Sequence, residues 1–392
     1  MSQAVRPSIA NNKRDLLWVA LFALVFLNGF EDGGYQASLY AIGQEYNLSM
    51  TSMGLFASME LFATMLAPIL LGSWADHTNK AKSMGILLAI QIVATAAVVL
   101  FKNELLFIIC VFIIGLTTSA LHFIAIATLA DAYPQTASKK IGYITSMFAT
   151  GALISPLVVG FYLGLGFDWR TLFGILVVGS ALALFGILKS GTEQREAGTA
   201  QTEEARGTGR LILLGVLLLC VVMCIYVGFE NGFAYFVDTL FTDVLQADTG
   251  KLALSVFWAV MIPARILVGH YSQHAYKILL GCVIAIPVTA LLVAVSNSAP
   301  IVLALVVPLG MASGAVYPSV LNLMLPFAGK QTATATAMIT TSTGIGGMVF
   351  TALTGLMADQ WGMRVAMAVL AGFFVLSILA VLWLPRVKTD RS

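Results

Sequence analysis

The sequence predicts an all-α membrane protein whose twelve transmembrane helices form two pseudo-symmetric six-helix bundles. Three observations predict it. The 392 residues are 59% hydrophobic and only 10% charged, with a mean hydropathy of +0.92, whereas a water-surrounded domain carries about 25% charge. The apolar residues gather into twelve stretches, each near the roughly 20 residues that cross a bilayer. The chain also repeats itself on either side of one long polar interruption.

The first six stretches are 16–40, 51–74, 83–101, 105–131, 141–166 and 169–188. The second six are 211–239, 250–271, 278–296, 299–326, 332–358 and 364–385. Residues 1–15 form a cytoplasmic tail, and the stretch that follows Lys13, Arg14 and Asp15 is too long for a cleaved signal peptide, so it stays in the mature protein. Residues 190–210 have mixed charge and almost no large apolar side chain, the composition of a flexible cytoplasmic linker. The linker separates one bundle, 16–189, from the other, 211–385, and residues 386–392 form the C-terminal tail.

Connections on the side of the termini carry sixteen Lys and Arg, against four on the other side (Lys102, Arg170, Lys251 and Arg364). The positive-inside rule therefore places both termini in the cytoplasm. Trp18, Trp74, Trp169, Trp361 and Trp383 fall at span ends, as an aromatic belt requires. A net charge of +2 leaves no basic field for nucleic acid. The four cysteines lie in apolar runs, without zinc-ligand spacing or a disulfide framework, and neither a metal nor a cofactor is expected. The short tails suit a monomer in a bacterial cytoplasmic (inner) membrane.

The repeat can be read residue by residue. Gly29-Phe-Glu31-Asp32-Gly33 recurs as Gly228-Phe-Glu230-Asn231-Gly232, 199 positions on. Gly72-Ser-Trp-Ala-Asp76-His77 is matched by Gly269-His-Tyr-Ser-Gln273-His274, and Gln135-Thr-Ala-Ser138 by Gln331-Thr-Ala-Thr334. The offset stays between 192 and 199 across five helices, which shared apolar composition alone does not produce.

Two parallel six-helix repeats on this pattern resemble the major facilitator superfamily, whose substrate site lies between the halves near the midplane. Gly72, Asp76, Lys80 and Lys82 match the superfamily's Gly-x-x-x-Asp loop with following basic residues, although its usual glycine-arginine pair is missing. The resemblance implies that these four act as a gate latch, the acid facing a helix N-terminus. Tyr226-Val-Gly-Phe-Glu230-Asn231, Arg265, and Gly310 followed by Tyr317-Pro318 resemble the fucose and glucose/galactose proton-symporter branch. Two departures bear on sugar specificity: the polar residue of the fourth span is His122, and Pro263-Ala264 stands where that branch has a glycine before Arg265. Drug exporters of the superfamily carry an arginine where this chain has Val111, and their Gly-x-x-x-Gly-Pro signature survives only as Gly151…Ser155-Pro156.

Ionisable groups inside a span cost at least ~2.5 kcal/mol on insertion scales, which makes each a functional candidate. On a helix Asp32, Tyr35 and Gln36 share a polar face while Glu31 points about 100° away. Asp32 is the leading proton carrier, because a carboxyl in a low-dielectric cavity can load and release a proton near neutral pH. His122 can accept that proton, bind substrate, or simply hold an interhelical hydrogen bond. Glu230 and Asn231 repeat the pair, and Asn231, Tyr235 and Asp238 share a face suited to hydroxyl groups. Arg265, the cation buried mid-membrane, either pairs with Glu230 or binds an anionic group of the substrate. Trp258 lies seven residues before Arg265 and is either core packing or a plate for a sugar ring. Tyr317 occupies the position equivalent to His122, 195 residues on.

No metalloprotease, nucleophile-elbow or phosphate-loop motif occurs, so neither an intramembrane enzyme nor an ATP-driven pump is indicated. The expected function is proton-coupled transport of a small polar, sugar-like or organic solute across the cytoplasmic membrane by alternating access, with Asp32, His122, Glu31 and Glu230 handling protons. Tyr35, Gln36, Asn231, Tyr235, Trp258, Arg265 and Tyr317 are the substrate candidates. Proton-driven export of a metabolite, siderophore or drug is the alternative, since both directions use the same buried acids.

Overall fold

A computed structural model describes residues 8–132, 137–190, 211–329 and 331–387. Lipid offers no water to an open backbone, so each apolar run closes its N–H and C=O groups within its own helix. The helices are α1 (Ser8–Glu45), α2 (Met50–His77), α3 (Lys80–Leu100), α4 (Glu104–Ala132), α5 (Ala137–Gly164) and α6 (Thr171–Ser190), then α7 (Leu213–Thr239), α8 (Gly250–His270), α9 (Ala275–Val295), α10 (Ala299–Ala328), α11 (Thr332–Trp361) and α12 (Met363–Trp383). All twelve contain a segment long and apolar enough to cross a membrane, and no strand occurs among the described residues. Residues 1–7, 191–210 and 388–392, which hold most of the linker and parts of both tails, lie outside the described residues.

Helix ends follow local chemistry. The Asn79 side chain accepts a hydrogen bond from the Lys82 N–H at 3.1 Å and so caps α3. α1 continues past residue 40 to Glu45, with Ile42 fully buried in the added turn. The α5–α6 and α11–α12 turns each need one residue with positive φ, which only glycine adopts without strain. Gly166 (φ 82°) and Gly362 (φ 85°) supply it, 196 positions apart.

The chain divides into two compact units. The first unit takes α1 up to Tyr35, α2 from Ala63, α3, α4, α6, and α5 apart from Pro156–Phe161. Its core includes Leu21, Leu24, Met84, Leu121 and Ile144, all fully buried. α3 packs against α4 and α6. A buried polar chain crosses that packing: Ser180 donates to Gln91 (3.3 Å), Gln91 to the Thr118 hydroxyl (2.9 Å), and Asn28 to the Thr118 carbonyl (3.2 Å).

The second unit takes Gln36–Phe62, Pro156–Phe161 and the helices α7–α12. Here α7 packs on α11 and α12, α10 on α8 and α9, and α12 on α9. The repeat is visible in the packing of each unit taken alone. In the first, a Cβ on Gly151 would lie 2.1 Å from the Phe26 carbonyl oxygen; in the second, one on Gly346 would lie 2.0 Å from the Cys224 carbonyl oxygen. α1–α5 and α7–α11 thus meet at equivalent glycines, 195 positions apart.

Candidate functional site

The second unit holds a polar cluster assembled from four helices. Tyr235 on α7 is fully buried and donates its hydroxyl hydrogen bond to the Glu60 carboxylate on α2, itself 2% exposed. Trp258 on α8 donates its indole N–H to the Gln36 side-chain oxygen on α1 at 3.2 Å. Both pairs are what a low-dielectric interior demands, because an unpaired buried donor or carboxylate is costly. Asn231 lies half-buried one helical turn before Tyr235, and its side-chain nitrogen donates back to the Val227 carbonyl at 3.0 Å. Phe257 stacks edge-on to Trp258 (centroids 5.9 Å apart) and fixes the indole plane. These residues comprise a carboxylate, a phenol, two amides and an indole.

A second group in the same unit contains Tyr226 and Glu230 on α7, Arg265 on α8 and Tyr317 on α10. Glu230 and Tyr226 are buried, whereas Arg265 and Tyr317 are exposed. Arg265 interacts electrostatically with Glu230, Tyr226 and Tyr317. Among the described residues no ion pair of 4 Å or less joins it to an acid. Asp238 follows Tyr235 by one turn of α7. It is 2% exposed and committed to a 2.5 Å ion pair with Lys251 of α8.

Four expected residues lie in the first unit. Glu31 is 2% exposed and Asp32 half-buried. Tyr35 packs its ring against Phe107 (6.3 Å), which stands edge-on to Trp169 and Phe173. The His122 ring is held edge-on by Phe148 at 5.2 Å, and its Nδ1 is buried without a hydrogen-bond partner. A cavity of about 360 Å³ opens among α8, α9 and α10 in the second unit, lined by Leu267, Tyr271, Met311 and Ala315 among others. It is almost wholly apolar, and none of the expected site residues lines it.

Residues 21–331 and 278–392 match the sequence profile of the Major Facilitator Superfamily. The chain belongs to that superfamily. It is 24% identical to the "Protein TsgA homolog" of Serratia proteamaculans over 97% of this chain and 98% of the relative. It is 21% identical to the glucose/mannose transporter GlcP of Bacillus subtilis over 84% of each. Among solved structures, a bacterial homolog of the human lysosomal transporter Spinster, crystallised in an inward-facing and occupied conformation, superposes with a TM-score of 0.80 at 14% identity, covering 96% of this chain and 97% of that one. The protein is therefore a multi-pass membrane transporter of the major facilitator fold and not an enzyme.

For the superfamily's gating loop, the structure places Gly72 in open space and Lys82 exposed at the start of α3, with Lys80 half-buried. The side chain of Asp76 lies outside the described residues. At the other end of α2 stands a contact that sequence reasoning missed. Asp359 near the end of α11 accepts hydrogen bonds from the Met50 N–H (3.0 Å), the Thr51 N–H (2.9 Å) and the Thr51 hydroxyl (2.5 Å). It caps α2 with a carboxylate where the helix dipole favours one. Tyr40 donates to Asp243 at 2.6 Å across 203 residues, from the last turns of α1 to the π-helical turn Leu240–Val244. Glu60 is an acid inside an apolar span and Tyr235 a polar residue of another, but nothing in the sequence pairs the two across 175 residues.

Proposed function

We propose that this major facilitator protein carries a small sugar-like solute across the cytoplasmic membrane together with protons, by alternating access of the halves 16–189 and 211–385, with both termini in the cytoplasm. The reading rests chiefly on the buried Tyr235–Glu60 and Trp258–Gln36 pairs. Each places a hydrogen-bonding group of α1 or α2 on a group of α7 or α8. A bound solute's hydroxyls would take over these bonds, so that solute binding and helix separation exchange equal numbers of hydrogen bonds. The similarity to a transporter named for glucose and mannose supports the solute class.

In this reading Gln36, Asn231, Tyr235 and Trp258 hold the solute, and Glu60 orients Tyr235. Asp32 carries the proton, because its neutralisation removes a charge from the low-dielectric interior and lets the halves move. His122, whose buried Nδ1 has no hydrogen-bond partner, would relay the proton in the same half.

The test uses purified protein in proteoliposomes with a pH dye inside, challenged with hexoses, deoxyhexoses and their acids. Solute-dependent proton entry is expected. Asp32→Asn should abolish accumulation against a gradient and leave solute exchange intact. Tyr235→Phe removes a hydrogen bond to a carboxylate, worth ~1.5–3 kcal/mol, and should weaken apparent affinity by roughly ten- to hundredfold. Protons leaving as solute enters, or accumulation surviving in Asp32→Asn, would overturn the coupling scheme.

A further inference from the structure

The consecutive helices α8 and α9 pack on α10 rather than on each other. Two neighbours that share only a floor leave a groove between them, and the apolar cavity of about 360 Å³ lies in it. Ala264, Leu267 and Tyr271 line it from α8 and the residue after it, His274 and Ile278 from the start of α9, and Ala315 from α10. The sequence accounts for the opening. Just before it, α8 and α10 touch closely: a Cβ on Gly310 would lie 2.5 Å from the Val260 side chain, and one on Gly314 2.6 Å from the Met261 carbonyl oxygen. Pro263 then interrupts the hydrogen-bond ladder of α8, and Ala264 and Ala315 carry only a methyl group each into the space.

The cavity is open on the outer face of the spans, because Leu267 and Met311 of its lining are exposed. Its volume lies within the ~300–1,000 Å³ of ligand cavities, and an apolar space of this kind stays dry. Ala264 and Tyr271 are two helical turns apart, about 10 Å along α8, so the lining runs lengthwise as an extended hydrocarbon chain does. The apolar segment of α8 ends at Val268, and the 3-10 turn Ser272–His274 follows, fixed by the His274 N–H on the Tyr271 carbonyl at 2.9 Å.

We infer that this groove binds an anionic phospholipid of the cytoplasmic leaflet, with one acyl chain in the cavity and the phosphate beside His274 and Lys277. The leaflet follows from the cytoplasmic termini proposed above. Lipid tails gain nothing by leaving other lipid tails, so the head group decides which lipid stays. Tyr271, His274 and Lys277 are exposed at that end, Lys277 directly preceding the lining residue Ile278. His270 is turned away, its Nδ1 lying 3.0 Å from the Ile266 carbonyl. From 249 to 358 the chain contains no Asp or Glu, so no carboxylate of α8, α9 or α10 neutralises Lys277 or repels a phosphate. A basic side chain at the interface favours an anionic over a zwitterionic lipid about fivefold.

The experiment titrates the purified full chain in detergent with phosphatidylglycerol and with phosphatidylcholine of the same acyl chains, and counts bound lipid by native mass spectrometry. One phosphatidylglycerol per chain is expected, held at least fivefold more tightly than phosphatidylcholine and not displaced by inorganic phosphate. Lys277→Gln should erase that preference and leave phosphatidylcholine binding unchanged. Ala315→Phe, which fills the cavity, should weaken both lipids at least tenfold. If Ala315→Phe does not fold, Met311→Trp at the exposed edge of the lining carries the same comparison. Equal binding of the two lipids by the wild type would overturn the head-group site. Binding unchanged in the cavity variants would overturn the acyl-chain site, and displacement by inorganic phosphate would show an anion site in place of a lipid site. Binding is read without solute or proton gradient, so none of these outcomes depends on the transport reading.

Discussion

The carboxylate of Asp359 holds the start of α2 against the end of α11, and its removal should loosen that contact by a calculable amount. Asp359 is exposed, so its bonds to Met50 and Thr51 are weighed as a helix cap rather than as buried polar contacts. Losing a cap costs ~0.5–2 kcal/mol, and losing a negative charge at a helix N-terminus a further ~0.3–1 kcal/mol. A total near ~1.5 kcal/mol raises the population in which α2 and α11 are apart roughly tenfold. Ser58 reports on that population, being 6% exposed and donating to the Met348 carbonyl of α11 at 2.7 Å. With the four free cysteines replaced, a Ser58→Cys reporter should react with a membrane-impermeant maleimide about ten times faster in an Asp359→Ala background, because labelling follows the open population. Asp359→Asn, which keeps one carbonyl oxygen for one of the three donors, should fall between. Labelling within twofold of the parent would show that the cap does not hold the two helices together.

Two further outcomes follow from packing. Lys251→Met strands Asp238, which is 2% exposed, and should cost ~3 kcal/mol, read as a lower melting temperature in detergent. Adding Asp238→Asn should restore most of it, and a double variant no better than the single would deny the pairing. Gly346→Ala forces a methyl against the Cys224 carbonyl and should destabilise by ~1–3 kcal/mol, whereas Gly281→Ala, which meets nothing within 4 Å, should be neutral. Equal melting temperatures for these two variants would mean that α7 and α11 do not approach closely at Gly346.

The spans were legible because apolar length is a property of consecutive residues. The repeat was legible for the same reason, and it carried structural detail with it: Gly151 and Gly346 mark equivalent helix crossings, and Gly166 and Gly362 equivalent turns. The site was legible in part. Every acid inside a span announces itself by its cost, as Glu60 and Asp32 do, and a helical wheel groups Asp32 with Gln36. The wheel does not show the partners that packing gives Asp238 and Tyr35. Lys251 claims Asp238, and Phe107 stacks against the Tyr35 ring.

The reason is the reach of the interactions. Hydropathy, span length and glycine placement are set within a few residues along the chain, so the amino-acid order alone determined a twelve-helix, twofold-repeated membrane protein. The partners of its polar groups are set across space. Glu60 and Tyr235 are 175 residues apart, Gln36 and Trp258 222, and Thr51 and Asp359 308. A buried acid must find some donor, but which donor depends on how the helices rotate about their axes and where they touch. That rotation follows from close packing of glycines and large apolar side chains over whole helices, so only the tertiary structure decided which polar groups meet within the protein.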